Sequence, residues 1–427
     1  ISMSRPYCKG AVALALLCVA SFSVTAQELA ITTALERTLT SSPQLQLYPY
    51  QLRIDEAKTL QAGLKPNPEL GVSVENVLGN GSLSGVKSAE LTLTLSQLIE
   101  LGDKRQRRLE SASAGKALTQ AQYELDRVDV LAKTMTDYLD VLELQTVRSW
   151  TAERLVMEQN ALQVATERSR AGLVTDADVL RLKSRVLKSQ MDLKALKAEL
   201  QVAVRQLAAN WSNEPDFDTV QGQLAVLPML PSLNEMLAAL DSSPQLGFYL
   251  TQERLAGTLQ NLAIANGQTD LTVGAGVRRN EQLNENAFVL SVSMPLALSN
   301  PNAGEIEAAR VTSERSAHQL KLSRQQLQLS TGRLYQQLTL LSEQIHDQQQ
   351  AILPAAESVV QSTLKGYETG IFDMTDLLSA HEDLLSAKRN MIDAQAQFHR
   401  QLVELERLVG MPLVVNGPAA LPSRMKE

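Results

Sequence analysis

The residues able to do chemistry are few and scattered. The four histidines, His318, His346, His381 and His399, stand singly among polar stretches. None has the i, i+4 histidine partner of a helical zinc site. The eleven methionines are dispersed (Met3, Met374 and Met411 among them), so they form no soft-metal path. Both cysteines, Cys8 and Cys18, fall in the first thirty residues. No nucleophile stands beside a base, which points to a non-enzyme with no metal site and no cofactor. Carboxylates next to glycine do recur, as Asp176 and Asp178 after Gly172 and as Asp373 and Asp376 after Gly370. The simplest chemistry there is helix capping by Asp176 and Asp373, with Thr175 and Thr375 alongside, satisfying free backbone N–H groups.

The elements that hold these turns follow from composition. Aromatics make up only 4% of the 427 residues, while Ala, Leu, Gln and charged helix formers fill most of the length. That is material for long packed helices rather than a bulky core. Residues 1–26 read as a secretory signal, with Arg5 and Lys9, an apolar run from Ala11 to Val19, and a Val24-Thr25-Ala26 cleavage site. The run is too short to span a bilayer, which takes about 20 residues. Leu17 precedes Cys18 where a lipidation signal needs a small residue, so simple cleavage is favoured over a lipid anchor. Cleavage removes two cations and no acid, taking the net charge from −7 to −9, which argues against a nucleic-acid partner.

The chain is duplicated. Ser41-Ser42-Pro43-Gln44-Leu45 returns as Ser242-Ser243-Pro244-Gln245-Leu246, and Ala171-Gly172-Leu173 with Asp178 is matched by Thr369-Gly370-Ile371 with Asp376. Each copy opens with helix (28–64 and 232–266) and continues into two runs of period two. In the first copy Leu70, Val72 and Val74, then Leu91, Leu93 and Leu95, alternate with small or polar residues. In the second, Leu271, Val273, Ala275 and Val277, then Phe288, Leu290, Val292 and Met294, do the same. Such hairpins could lie on a helical domain. The signal favours the alternative, hairpins crossing a membrane with the apolar face toward lipid, for which strands of about 9–11 residues suffice.

Four strands cannot close a barrel, and an open edge cannot be left in lipid. About eight strands leave an interior filled by side chains, so a conducting pore favours three chains and twelve strands. After each hairpin comes a Gly- and Pro-poor stretch, 104–170 and 303–369. As continuous helix each would run about 100 Å, with Pro354 expected to kink or break the second. Each then turns and returns as a shorter helix, 176–210 and 375–409. The expected organisation is therefore signal 1–26, first repeat 27–210 with hairpin 68–98, linker 211–231, second repeat 232–410 with hairpin 270–298, and tail 411–427. The expected fold class is mainly α with membrane β: a long helical barrel plus four transmembrane strands per chain.

This pattern resembles the outer-membrane efflux protein family, the TolC-like exit ducts, over essentially all of the mature chain. Within it, Lys65-Pro66-Asn67-Pro68-Glu69-Leu70 and Ser96-Gln97-Leu98-Ile99-Glu100-Leu101-Gly102-Asp103-Lys104-Arg105 are similar to the heavy-metal cation branch, which includes the cobalt–zinc–cadmium resistance components. That branch usually has a second glycine where this chain has Asp103. On residues alone, the Glu100–Asp103 segment is a strand-to-helix joint in which Gly102 takes an unusual backbone angle and Asp103 caps the helix.

The resemblance implies a homotrimer in outer-membrane lipid that extends into the periplasm. Residues 211–231 and the tail would form its equatorial belt. It implies as partners a periplasmic adaptor and an inner-membrane proton-driven transporter. Asp376 stands where the family carries an aspartate facing the closed end of the duct, so three copies would ring it with carboxylates that attract cations. Asp373, Asp178 and Asp176 join it as gate candidates. Gly172, Leu173, Thr175, Gly370, Ile371 and Thr375 form the candidate adaptor-docking turns. The implied function is the exit channel of a tripartite efflux system for divalent heavy-metal cations. Exit ducts for drugs or other organic solutes, or for type I protein secretion, are the alternatives, and a non-inserting coiled-coil interaction protein is a third.

Overall fold

The computed structural model describes residues 28–211, 214–296, 299–300 and 302–410. The expected signal peptide 1–26, both cysteines and the tail 411–427 lie outside the described residues. In chain order the elements are β1 Glu28–Leu29, α1 Ile31–Ser41, α2 Tyr48–Ala62, β2 Glu69–Glu75, β3 Glu90–Ile99, α3 Lys104–Arg170 and α4 Asp176–Ala208. They continue as β4 Thr219–Val220, α5 Leu233–Ala239, α6 Pro244–Asn266, β5 Leu271–Asn280, β6 Glu285–Ser293, α7 Ala303–Asp347, α8 Leu353–Glu368 and α9 Met374–Val409.

The 67 residues of α3 contain no proline and one glycine, so nothing interrupts the i→i−4 ladder over about 100 Å. The second rod differs. Between α7 and α8 the chain stays helical but widens into a π-turn, Gln348–Ile352. Pro354 follows after one intervening residue; it has no N–H to offer the carbonyl of Gln350, and the wider turn accommodates that lost bond. The kink or break expected at Pro354 is thus a loosened turn within continuous helix.

The two hairpins form one antiparallel sheet in the order β2-β3-β5-β6. Its register puts Leu70 opposite Leu95, Val72 opposite Leu93, Leu93 opposite Val277, and Val277 opposite Phe288. Directly opposed residues share a face, so one face is a continuous apolar surface. Phe288 is 91% exposed and Leu290 84%. The other face carries Gly71, Ser73, Thr92, Thr94, Gly274, Gly276 and Ser291. A Cβ on Gly276 would run into the Leu93 carbonyl oxygen, so the strands approach closely there because the side chain is missing. No helix among the described residues is long and apolar enough to cross a membrane.

The core sits well below the sheet. Leu131, Met135, Tyr138 and Leu142 of α3 are buried with Leu200, Val204 and Leu207 of α4 and with Trp211, Phe217, Val220 and Leu224. Here β1 and β4 pair in parallel. The Tyr138 hydroxyl reaches the carbonyls of Leu29 (2.9 Å) and Gln221 (2.6 Å), and the Gln145 side chain both accepts from and donates to the Val220 backbone. Residues 214–221 are thereby fixed about 50 Å along α3 from Lys104, at 1.5 Å per residue. A second core joins α5, α6, α7 and α9 through Met236, Leu246, Leu338, Ile345, Phe398 and Leu405. His399, expected at a solvated or grooved position, is fully buried, with Nε2 3.0 Å from the Leu224 carbonyl.

Neighbouring residues of β6 separate the two faces experimentally. Leu290→Arg is expected to cost about 2–4 kcal/mol near the bilayer midplane and to deplete heat-modifiable oligomers in outer-membrane fractions. Ser291→Arg should leave their yield close to that of the parent. Equal tolerance at both positions would mean that the apolar face does not meet lipid.

Candidate functional site

Three places along the rod carry the candidate residues: the joint beneath the sheet, the two turns at the far end of the helices, and the polar face of the sheet. At the joint, Gly102 has φ +69° and Asp103 φ +58°. A Cβ at Gly102 would stand 2.6 Å from Gln268 Cγ, so glycine is needed for space as well as for angle. Asp103 does not cap α3: its side chain makes no capping bond. A left-handed residue departs from the extended conformation that aims a capping side chain at the first-turn N–H groups.

The anion at this helix start comes from the other repeat. Asp270 accepts the Leu101 N–H (3.1 Å) and the Lys104 ammonium (2.7 Å). Glu100 forms an ion pair with Arg108, which also donates to the carbonyls of Ala62 and Leu64 at the end of α2. Hydrogen bonding to Glu100 holds the Arg108 guanidinium above its ordinary pKa, although burial opposes this. Strand, joint and both repeats are therefore locked where the sheet meets the rods.

At the first far turn, α3 ends with Arg168 and Arg170 near its carbonyl end. Gly172, with φ +73°, lets the Leu173 N–H return to the Arg168 carbonyl at 2.9 Å. The cap of α4 is Thr175, which accepts the Asp178 N–H (3.3 Å) and donates to the Asp178 carboxylate (2.7 Å). Asp176, expected as a cap, is the first helical residue and instead accepts from the Ser169 hydroxyl at 2.8 Å. Asp178 also pairs with Arg181.

The second turn has the same plan. Gly370 takes φ +77°, and the Ile371 N–H donates to the Gly366 carbonyl at 2.8 Å. Asp373 caps α9 in a reciprocal box with Asp376, each carboxylate accepting the other's backbone N–H, at 2.9 and 3.0 Å. Thr375 lies within the first turn and is exposed. Leu173 and Ile371 project as exposed apolar tips, while the Phe372 ring lies over Gly366.

Two links that the sequence did not reveal hold the turns together. Arg168 lies over the Tyr367 ring at 5.0 Å, and Arg185 of α4 pairs with Glu382 of α9 at 2.7 Å. A third missed group is on the polar face of the sheet. Arg278 pairs with Glu90 (3.1 Å) and Glu75 (3.7 Å) and donates to Thr92. Glu285 lies opposite Asn280, beside the same group. Acids outnumber cations at that end of the face. Among the described residues no group of three His, Cys, Asp or Glu could hold a metal ion.

The joint makes a sharp prediction. Asp270→Ala strands a nearly buried ammonium and should destabilise the protein by about 3 kcal/mol, whereas Asp103→Asn should change stability by less than about 0.5 kcal/mol. Denaturation midpoints of the purified protein decide it, and a larger loss at Asp103 would restore that residue as the cap.

Comparison with known proteins agrees with this architecture. Over 367 residues the chain is 27% identical to the cobalt-zinc-cadmium resistance protein CzcC of Cupriavidus metallidurans, covering 84% of this chain and 85% of that one. It is 23% identical to the nickel-cobalt-cadmium resistance protein NccC of Alcaligenes xylosoxydans xylosoxydans, covering 70% and 68%. Among solved structures, the outer membrane protein VceC of Vibrio cholerae superposes with a TM-score of 0.72 at 18% identity, covering 89% and 96%. The family model described as outer membrane efflux protein matches residues 34–213 and 236–411, once per repeat, and the chain belongs to the outer membrane efflux protein family.

Proposed function

We propose that this chain is the outer-membrane exit channel of a tripartite efflux system, that it works as a homotrimer with a twelve-stranded barrel, and that it exports divalent heavy-metal cations. The observation that carries the assembly is the four-stranded sheet with an apolar outer face and two unpaired edges, β2 and β6. In lipid each unpaired backbone group costs several kcal/mol, and further copies of the same sheet remove that cost by pairing β6 with β2 of the next chain. Three copies give an interior wide enough to conduct. The rods then cross the periplasm toward the adaptor and the inner-membrane proton-driven transporter.

Gly172, Leu173 and Thr175, with Gly370, Ile371 and Thr375, present exposed tips to the adaptor. Asp376 and Asp373, with Asp178 and Asp176, supply the negative charge of the closing end. Metal cargo is supported by two features: the resistances for which CzcC and NccC are named, and the acidic excess of Glu75, Glu90 and Glu285 over Arg278 on the polar face of the sheet, which favours cations over anions.

Two experiments test this reading. A deletion strain should become sensitive to cobalt, zinc and cadmium and recover on complementation. Sensitivity confined to hydrophobic drugs, or loss of a secreted protein with metal tolerance intact, would assign a different cargo. For the gate, Asp376→Asn keeps an oxygen to accept the Asp373 N–H and removes only the charge. Single-channel recordings in bilayers should then show weaker cation preference, and an unchanged preference would remove Asp376 from the gate.

A further inference from the structure

About two-thirds of the way down the rod, α3, α4 and residues 215–219 enclose an open groove of about 440 Å³. Arg148, Lys197 and Arg205 line it, and among the described residues none of the three has a hydrogen-bonded or ionic partner. Several other cations of the same two helices are paired, Lys133 with Asp137, Arg154 with Asp192, Arg181 with Asp178 and Arg185 with Glu382; what sets the groove apart is that three unpaired ones converge on one opening. One acid, Asp218, stands at the groove, while nearby Asp216 is neutralised by Arg37 at 2.7 Å. The chain as a whole is acidic, at −7, so a local surplus of free cations is not a reflection of average composition. Leu200, Val204 and Phe217 give the groove an apolar floor.

We propose that this groove binds the carboxylate-bearing polymer of the cell wall, peptidoglycan; the proposal rests on the reading of the chain as a periplasm-crossing duct. The groove's height selects the partner. Counting 1.5 Å per residue along α3, Arg148 lies about 66 Å from the membrane-side end at Lys104 and about 33 Å before the far turn. A polymer layer that the rod pierces meets it between its ends, whereas an adaptor engaging Leu173 and Ile371 meets its tip. The chemistry fits as well. Two guanidinium groups and an ammonium around one opening suit carboxylates, which arginine can hold in a bidentate fork. A single exposed pair is worth little. Three grooves on one trimer facing a polymer of repeating carboxylates gain by multivalency what each lacks alone.

Cosedimentation of the detergent-solubilised trimer with isolated peptidoglycan sacculi tests the proposal. The parent should sediment at low salt and be released as ionic strength rises. Binding should fall about tenfold or more, or about 1.4 kcal/mol, in the Arg148→Gln/Lys197→Gln/Arg205→Gln variant. The same loss should follow when the carboxyls of the sacculi are amidated. The single exposed change Lys197→Glu gives the same reading should the triple variant fail to assemble. A parent that ignores sacculi, or variants that bind them as the parent does, would overturn the proposal. So would variants that keep sacculus binding but lose crosslinking to the adaptor, which would give the groove to a protein partner. Single-channel conductance of the same variants should match the parent, so a failed wall interaction stays distinct from a failed channel.

Discussion

An isolated four-stranded sheet has two rows of backbone N–H and C=O groups with nothing to bond to. Water can satisfy them, but the hydrocarbon of a bilayer cannot. That constraint governs this protein. The face of the β2-β3-β5-β6 sheet bearing Leu93, Phe288 and Leu290 is unsuited to water, and its edges are unsuited to lipid while they stand alone. Only copies of the same sheet satisfy both at once. Duplication has already joined the two hairpins at the β3–β5 seam, and in the proposed trimer the pairing of β6 with β2 of the next chain would repeat that solution.

Closing a barrel this way demands that strands and rods keep a fixed relation, because a slip of one residue would turn the apolar set inward. The joint supplies it. Asp270 belongs to the second repeat and anchors Lys104 and the Leu101 N–H of the first, while Arg108 reaches from α3 to Glu100 and to the end of α2. Lower down, Tyr138 and Gln145 seat the chain between the repeats against α3. The joint thus ties the second repeat to the first, and the lower contacts tie the inter-repeat chain to α3, through hydrogen bonds and ion pairs that a purely apolar seam would not direct.

Much of the fold was legible because it is written in local periods. Alternation of two marked the strands, and the absence of proline and near-absence of glycine across α3 marked the long rod. Gly172 and Gly370 marked turns because a positive φ is cheap only there. The misreadings arose where three-dimensional neighbours override local signals. Asp103 looked like a cap by its position, but a left-handed backbone and the distant Asp270 removed the need for one. Asp176 lost the capping position to Thr175 one residue earlier, a distinction below what residue type alone can resolve. His399 looked solvated because its sequence neighbours are polar, whereas helix packing turns it onto Leu224. The Arg278 group joins residues from β2, β3 and β5, and no single window of sequence contains it.

The two repeats share a plan but not a stiffness. In the first hairpin of helices, Arg154 bonds Ser189 and Asp192, and Ser189 bonds Glu158, so α3 and α4 are tied at several points on one level. At the corresponding level of the second, the one polar tie between α8 and α9 among the described residues is Lys388 with Glu357 at 3.7 Å, a partly exposed pair worth well under about 1 kcal/mol. The π-turn and Pro354 sit just above it, where the helical ladder has already given up bonds. A rod deforms where its internal bonds are fewest and its lateral ties weakest, and both conditions coincide in the second repeat. The turn attached to that less tied hairpin carries the Asp373–Asp376 box; in the proposed gate it would be the moving part, and α3, unbroken from Lys104 to Arg170, the frame.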